Sequence, residues 1–259
     1  MGHIRVGRLP KTRPWVGLFD HLQGGEISAA QMAQATSEAA QEQFASLEGD
    51  RRINHSFWFL VRLVTAARGD DFIGELERLG LRDVSFTSGL GFVQQIARAV
   101  EREQRKRGQP TVFSRMAALS LRQVLSRHLV DQSQTLFGTG LAEVQAACRA
   151  MSTQHSFGQV AREFFANFMS RGIRYLTDKE LSNFVGPDQA VASPTQVLEF
   201  EEALNRHCHE TAKIVEEFAA GWFSKHNWET NNNISEKATA GFTAYALQKI
   251  QMDLREVEA

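Results

Sequence analysis

The sequence predicts an all-α protein: a multi-helix bundle with long C-terminal antiparallel helices and a basic N-terminal arm. The first observation is the scarcity of proline, which occurs only at positions 10, 14, 110, 187 and 194. Because proline breaks helix interiors, the long stretches between these positions suit helices. The second is that apolar residues recur three or four positions apart along most of the chain. The third is that no segment of useful length alternates apolar and polar residues, as a half-buried strand does.

The chain opens with a predicted arm over residues 1–14, ahead of a single helical domain over residues 15–259. The arm contains two prolines and no acidic residue. Its positive charges are Arg5, Arg8, Lys11 and Arg13. A boundary near residues 135–140 would divide the helical domain in two, but one continuous bundle explains the sequence equally well.

Helical signals follow the arm. Ser28 and Gln31 have the spacing of a capping box, in which each side chain accepts a hydrogen bond from the other residue's backbone N–H. The apolar run Phe57–Val64 is too continuous for a surface helix, so we expect it to be buried. Further helices are predicted over residues 70–80, 88–107 and 111–136.

The C-terminal half has clearer helical patterns. Capping boxes at Ser156–Gln159 and Thr177–Glu180 predict two helix starts, and Ser193–Pro194 predicts a third. From there an apolar seam about four heptads long runs to Trp222, which suits packing against another long helix. Residues 225–233 are expected to connect this helix to the last one. The phenylalanines predicted to lie in the core of this half are Phe157, Phe164, Phe165, Phe168 and Phe184.

Charge and cysteine content exclude several classes of protein. Lys+Arg 29 against Asp+Glu 30 gives a net charge of −1, so there is no global electrostatic case for a nucleic-acid or membrane surface. Residues 1–130 are net basic and residues 131–259 net acidic, so the halves complement each other. Two cysteines rule out a disulfide scaffold or a Cys-rich zinc module. We find no membrane span and no secretory signal, and we expect a cytoplasmic location.

Familiar catalytic motifs are missing from the sequence. It contains no P-loop, no nucleophile elbow and no His-Glu-x-x-His zinc motif, so we expect no catalytic residue and no cofactor. The enzyme alternative is a HEPN-like ribonuclease. Such helical bundles cut RNA with Arg-x(4–6)-His on one helix, where histidine moves protons and arginine holds phosphate. Two pairs match, Arg122 with His128 and Arg149 with His155, but His155 lies at a predicted helix boundary.

A run of polar residues at 207–210 raises the alternative of a metal site. On a helix, side chains two positions apart point roughly 200° apart, so His207 and His209 cannot both bind one ion. The usable pair is His207 with Glu210. Cys208 falls on the apolar seam and is expected in the core. We therefore predict a polar flank around a packed cysteine, with no metal bound.

Partner binding is predicted at two places, namely the arm with Trp15 beside it, and Trp228. The arm could enter a groove on a partner protein or, alternatively, follow a nucleic-acid backbone. Trp228 lies among polar residues, and aromatic anchors in polar rims are typical of protein contacts. The alternative for Trp228 is a structural cap at the end of the bundle.

A second basic cluster has charges that favourably oppose a helix dipole. It consists of Arg98, Arg102, Arg105, Lys106 and Arg107.

Four segments resemble a family of bacterial all-α accessory proteins encoded in multi-gene loci, anti-phage defence loci among them. They are Ile4–Trp15, Lys179–Gly186, Phe223–Trp228 and Ala244–Ile250. The resemblance implies no activity and no residue role. With the missing catalytic motifs, it favours a non-enzymatic accessory or adaptor subunit of a larger bacterial assembly. The alternatives are the HEPN-like ribonuclease and a nucleic-acid-binding module that uses the arm.

Overall fold

The computed structural model describes Trp15 and residues 28–81, 88–130, 140–181 and 194–256. These residues form helices and no strand, which confirms the predicted all-α fold. The helices are α1 (Ala29–Ala39), α2 (Gln41–Ala45), α3 (Arg51–Ala66), α4 (Phe72–Arg78), α5 (Gly89–Lys106), α6 (Val112–Val130), α7 (Leu141–Ala150), α8 (Gln154–Leu181), α9 (Pro194–Thr211), α10 (Lys213–Glu229) and α11 (Glu236–Glu256).

Helix α3 is the centre of the bundle and is buried along most of its length. It packs against α6 on one side and α11 on another, with α4, α5 and α7 around it. Phe57 of α3 is fully buried, and its ring centroid lies 5.1 Å from that of Phe165 and 5.3 Å from that of Phe242. The prediction that Phe57–Val64 is buried is confirmed, except that Trp58 and Arg62 are half-buried.

The predicted aromatic core of the C-terminal half is also confirmed where the structure describes it. The buried members are Phe157, Phe164, Phe165 and Phe168, whereas Phe184 lies outside the described residues. Phe157 of α8 stacks on Phe223 of α10 at 3.9 Å, and Trp222 stacks near it. One hydrophobic core joins side chains from both sides of residues 131–139.

Helices α8, α10 and α11 give the C-terminal half its antiparallel layout. Along α10 and α11, Phe218 contacts Tyr245 and Trp222 contacts Phe242, so the two helices run in opposite directions. Helix α8 approaches α10 closely at Gly158, where an added Cβ would lie 2.8 Å from the Glu216 carbonyl oxygen. The predicted long antiparallel C-terminal helices are thus present.

The predicted seam from 197 to 222 is not one helix but two, because the chain is interrupted at Ala212. Arg162 of α8 stabilises this break from the side. Its Nε donates to the His209 carbonyl oxygen at 2.9 Å, and its Nη1 lies 3.1 Å from a Glu216 carboxylate oxygen. One guanidinium therefore holds the end of α9 and the start of α10 together. The seam residues pack in or against the core as predicted, and only the expectation that one uninterrupted helix carries them is wrong.

Helix starts show which capping signals operate. The capping box of Ser28 and Gln31 is confirmed, with both reciprocal hydrogen bonds formed. The box at 156–159 is wrong, because α8 begins earlier and the Ser156 amide donates to Thr153 Oγ1 at 3.2 Å. The box at 177–180 is wrong too. Thr177 is inside α8 and buried, and its hydroxyl donates back to the Ile173 carbonyl oxygen at 3.0 Å.

A buried histidine lies under an ion pair that ties α5 to α11. Arg107 and Glu236 form a two-bond ion pair, one bond of which, from Nη2 to Oε2, is 3.0 Å long. The Nδ1 atom of His55 is 3.5 Å from Glu236, and the imidazole packs on the Trp58 ring at 5.3 Å. Burial first, and then the positive charge of Arg107, lowers the pKa of His55 to about 4, although Glu236 and Glu103 act in the opposite direction.

Candidate functional site

Trp228 is the most exposed large apolar side chain in the part of the chain that the structure describes. It lies in the last turn of α10 and is 85% exposed, whereas the next, Leu198, is 60% exposed. The interpretation of Trp228 as a cap packed on the bundle is therefore wrong. The predicted connection over 225–233 is also too long, because α10 continues to Glu229 and only residues 230–235 link it to α11. The pair Lys225–Glu229, 3.9 Å apart at helical spacing, lies along this last turn.

The turn after α10 is closed by two asparagines in left-handed backbone conformation. The φ angles of Asn231 and Asn232 are 49° and 63°, a region that asparagine tolerates better than most residues. The Asn232 amide donates to the Asn227 carbonyl oxygen at 2.9 Å. Such a bond satisfies a carbonyl that the helix end leaves open, so α10 ends at Glu229, one residue after Trp228.

Helix α3 holds this turn from below. Trp58 Nε1 donates to the carbonyl oxygen of buried Ile234 at 3.2 Å. Arg62 donates to the Asn232 carbonyl oxygen at 3.0 Å and forms an ion pair with Glu75 at 2.6 Å. These contacts join the connection to α3, which is buried along most of its length. The exposed indole of Trp228 therefore extends from a helix end whose following turn is fixed to the core.

The two predicted partner-binding places have different outcomes. The arm residues Arg5, Arg8, Lys11 and Arg13 lie outside the described residues, so their role stays a prediction. Trp15 is 2% exposed and belongs to the hydrophobic core. The expectation that its side chain reaches a partner is therefore wrong, because its apolar surface is already covered by this chain. Of Trp15 and Trp228, the two predicted partner-binding residues that the structure describes, only Trp228 is at the surface.

The structure does not bring the ribonuclease pair to one site. Positions six apart on a helix are separated by roughly 240°, so Arg122 and His128 lie on different faces of α6. Arg122 faces a groove between α5 and α6, and the Nε2 atom of His128 lies 3.1 Å from a Glu163 carboxylate oxygen of α8. In the second pair, Arg149 lies in the last turn of α7 and His155 in the first turn of α8, so those residues belong to different helices.

The polar run at 207–210 flanks a packed cysteine, as predicted. Cys208 is fully buried, and burial raises the pKa of its thiol to about 12. Burial also raises the pKa of the Cys148 thiol on α7. Burial, and secondarily the charge of Arg162, lowers the pKa of His209. Among the described residues no group of three or more histidine, cysteine or acidic side chains has the geometry to hold a metal ion.

Most cations of the second basic cluster contact groups of the bundle itself. Lys106 lies 3.0 Å from Glu103, and Arg105 lies 3.5 Å from Glu101. Arg102 donates to the Gly80 carbonyl oxygen at 2.7 Å. Arg105, Lys106 and Arg107 are therefore balanced by carboxylates, whereas Arg102 keeps its charge against a neutral carbonyl.

A polar cleft that no sequence motif indicated lies between α6, α8 and α9. Its volume is about 440 Å³, and we call it the arginine cleft. The residues that define it are Gln123, Asn167, Ser170, Arg171, Arg174 and Glu201. Arg174 and Glu201 form an ion pair at 2.5 Å, and Arg171 Nη2 donates to Gln123 Oε1 at 2.5 Å. Sequence reasoning missed the cleft because three helices far apart in the chain supply its members.

Comparison of the chain with protein-family models, with curated proteins and with solved structures gave no match. Among the helices that the structure describes, none combines the length and the apolar character needed to cross a bilayer.

Proposed function

We propose that this protein is a non-enzymatic helical adaptor subunit that binds a partner protein through the indole of Trp228. The observation that carries this proposal is the 85% exposure of that side chain at the end of a fixed helix. Large apolar side chains are ordinarily covered, and tryptophan is among the residues most enriched at the energetic centres of interfaces.

The energetic gain from covering this side chain is considerable. A tryptophan buries about 200 Å² when fully covered, and apolar burial contributes about 25 cal/mol per Å². The gross gain is therefore about 5 kcal/mol before the costs of association. Because Trp58 and Arg62 already order the turn beneath it, binding would not have to immobilise that segment. The exposed pair Lys225–Glu229 would supply polar contacts at the rim.

The wider assignment, to an accessory subunit of a larger bacterial assembly, is supported by the sequence resemblance to accessory proteins of multi-gene loci. More specifically, we propose that this assembly belongs to an anti-phage defence system. In this arrangement the basic arm would make a second contact, with protein or with nucleic acid.

The test is affinity purification from native extract, with and without nuclease, followed by mass spectrometry. Wild type is compared with Trp228→Ala and with Ile73→Ala, which shortens another exposed apolar side chain on α4. We expect a stoichiometric protein that survives nuclease, is lost with Trp228→Ala and is retained with Ile73→Ala. Since both side chains are exposed, both variants should unfold at nearly the wild-type temperature.

Two results would overturn the proposal. One is an identical set of co-purifying proteins for wild type and Trp228→Ala. The other is catalytic turnover by the pure protein that a single substitution abolishes. Recovery of nucleic acid without a protein partner would instead support binding through the arm, with loss on deletion of residues 1–14 as the check.

A further inference from the structure

The arginine cleft contains a cation with no counter-charge. Arg174 is neutralised by Glu201, but Arg171 forms no ion pair with any residue that the structure describes. Arg171 is half-buried, and its one hydrogen-bond partner there is the neutral amide oxygen of Gln123. Its Nε atom is buried and makes no hydrogen bond. The guanidinium of Arg171 is thus partly desolvated and incompletely hydrogen-bonded. Such an arrangement costs free energy unless another group supplies the missing acceptor.

The charges that act on Arg171 make this arrangement less favourable. Burial lowers the pKa of Arg171, and the positive charges of Arg174 and Arg122 lower it further. Glu202 also lines the cleft, but it is exposed and does not offset this effect. The cleft therefore holds two guanidinium groups, of which Arg174 is paired with a carboxylate at close range and Arg171 is not.

We infer that the arginine cleft binds a small phosphorylated molecule, with its phosphate group against the guanidinium of Arg171. Guanidinium groups present planar, paired donors that match phosphate oxygens, and a charge-assisted bond is about twice as strong as a neutral one. The amide of Asn167 and the hydroxyl of Ser170 are further polar groups in the wall. A volume of about 440 Å³ exceeds what phosphate alone needs and falls in the range of small-molecule sites.

The rest of the ligand is constrained by the same walls. The cleft is lined mainly by polar groups, including Asn205, so a polar remainder such as a sugar or a polyol fits it better than an aromatic one. The site is separate from the surface around Trp228, which lies on α10. The two proposals can therefore fail independently.

The test is thermal unfolding of the full chain in sodium phosphate against sodium chloride at equal ionic strength, repeated with glycerol phosphate. A ligand at ten times its Kd should raise Tm by roughly 3 to 5 °C for a chain of this size. Arg171→Gln should abolish this shift. In chloride alone it should leave Tm unchanged or higher, because it removes the repulsion among the guanidinium groups. Arg171→Lys should keep part of the shift.

Arg115→Gln is the matched control, because Arg115 is an exposed arginine on α6 outside the cleft. An equal Tm of wild type in phosphate and chloride would overturn the inference, as would a full shift retained by Arg171→Gln or lost equally with Arg115→Gln. A larger shift with glycerol phosphate than with inorganic phosphate would support the bound ester. Should Arg171→Gln fail to fold, exposed Arg174 on the cleft wall provides the deciding variant. Arg174→Gln must then weaken phosphate binding, and unchanged binding would refute the site.

Discussion

Lowering the pH from 7 to 5 should destabilise the protein through His55 more than through any exposed histidine. His55 is buried against Trp58 and beneath the Arg107–Glu236 ion pair, and its pKa is lowered from 6.5 to about 4. Between these two values the unfolded chain binds a proton that the folded chain does not. The stability that depends on keeping His55 neutral is therefore complete above pH 6.5 and is lost as the pH falls toward 4.

The size of the effect follows from the two pKa values. Linkage predicts that protonation of His55 in the unfolded chain lowers the free energy of unfolding by about 2 kcal/mol between pH 7 and pH 5. Other groups with shifted pKa values, among them Asp50 and Glu163, also contribute to acid sensitivity. A variant that lacks only the His55 titration separates its share from theirs.

The assay is urea unfolding at pH 7 and pH 5, followed by the helical circular dichroism signal. His55→Phe retains a ring against Trp58 but cannot bind a proton, so its loss of stability over this range should be about 2 kcal/mol smaller than that of wild type. His155→Gln, at an exposed position in the first turn of α8, should behave like wild type. If wild type and His55→Phe lose the same free energy, the reasoning about the buried imidazole is refuted.

Two further predictions concern packing, each measured by chemical unfolding at pH 7. Phe57→Ala should lower the free energy of unfolding by about 3 to 5 kcal/mol, because the ring is fully buried among aromatic neighbours; a loss under 1 kcal/mol would contradict its central place in the core. Gly158→Ala should lower the free energy of unfolding by about 1 to 3 kcal/mol, because the added Cβ would press on the Glu216 carbonyl oxygen. Gly221→Ala, whose Cβ would have nothing within 4 Å, should instead raise it by about 0.5 to 1 kcal/mol through better helix propensity. A change of the same sign for both variants would show that helix propensity alone decides.

The sequence was informative wherever a local signal and burial agree. Proline scarcity and apolar spacing predicted the helices, and the Ser28 capping box forms with both of its reciprocal hydrogen bonds. At 156 and 177 the same pattern failed. Thr153 offers an earlier cap for α8, and Thr177 is covered by neighbouring helices, so its hydroxyl bonds within the helix. Tertiary packing decides between capping signals that the sequence presents as equivalent.

The sequence likewise predicted some features of the candidate sites and missed others that depend on packing. Trp228 could be identified because polar neighbours surround it in the sequence, although its helical conformation could not. Trp15 follows the basic arm in the sequence, yet it is buried in the hydrophobic core. Arg171 and Gln123 are 48 positions apart, and their contact depends on how α6 packs on α8. Spacing along one helix cannot predict such a pair.

The sealed cysteines make the folded chain resistant to alkylating reagents. Only thiolates react readily, and Cys148 and Cys208 are both inaccessible and held as thiols. The rate of alkylation would therefore measure how often the bundle opens. Cys148 reports the opening of α7, and Cys208 reports the opening of α9. Peptide mapping after brief exposure would tell whether these two helices separate from the core together or in succession.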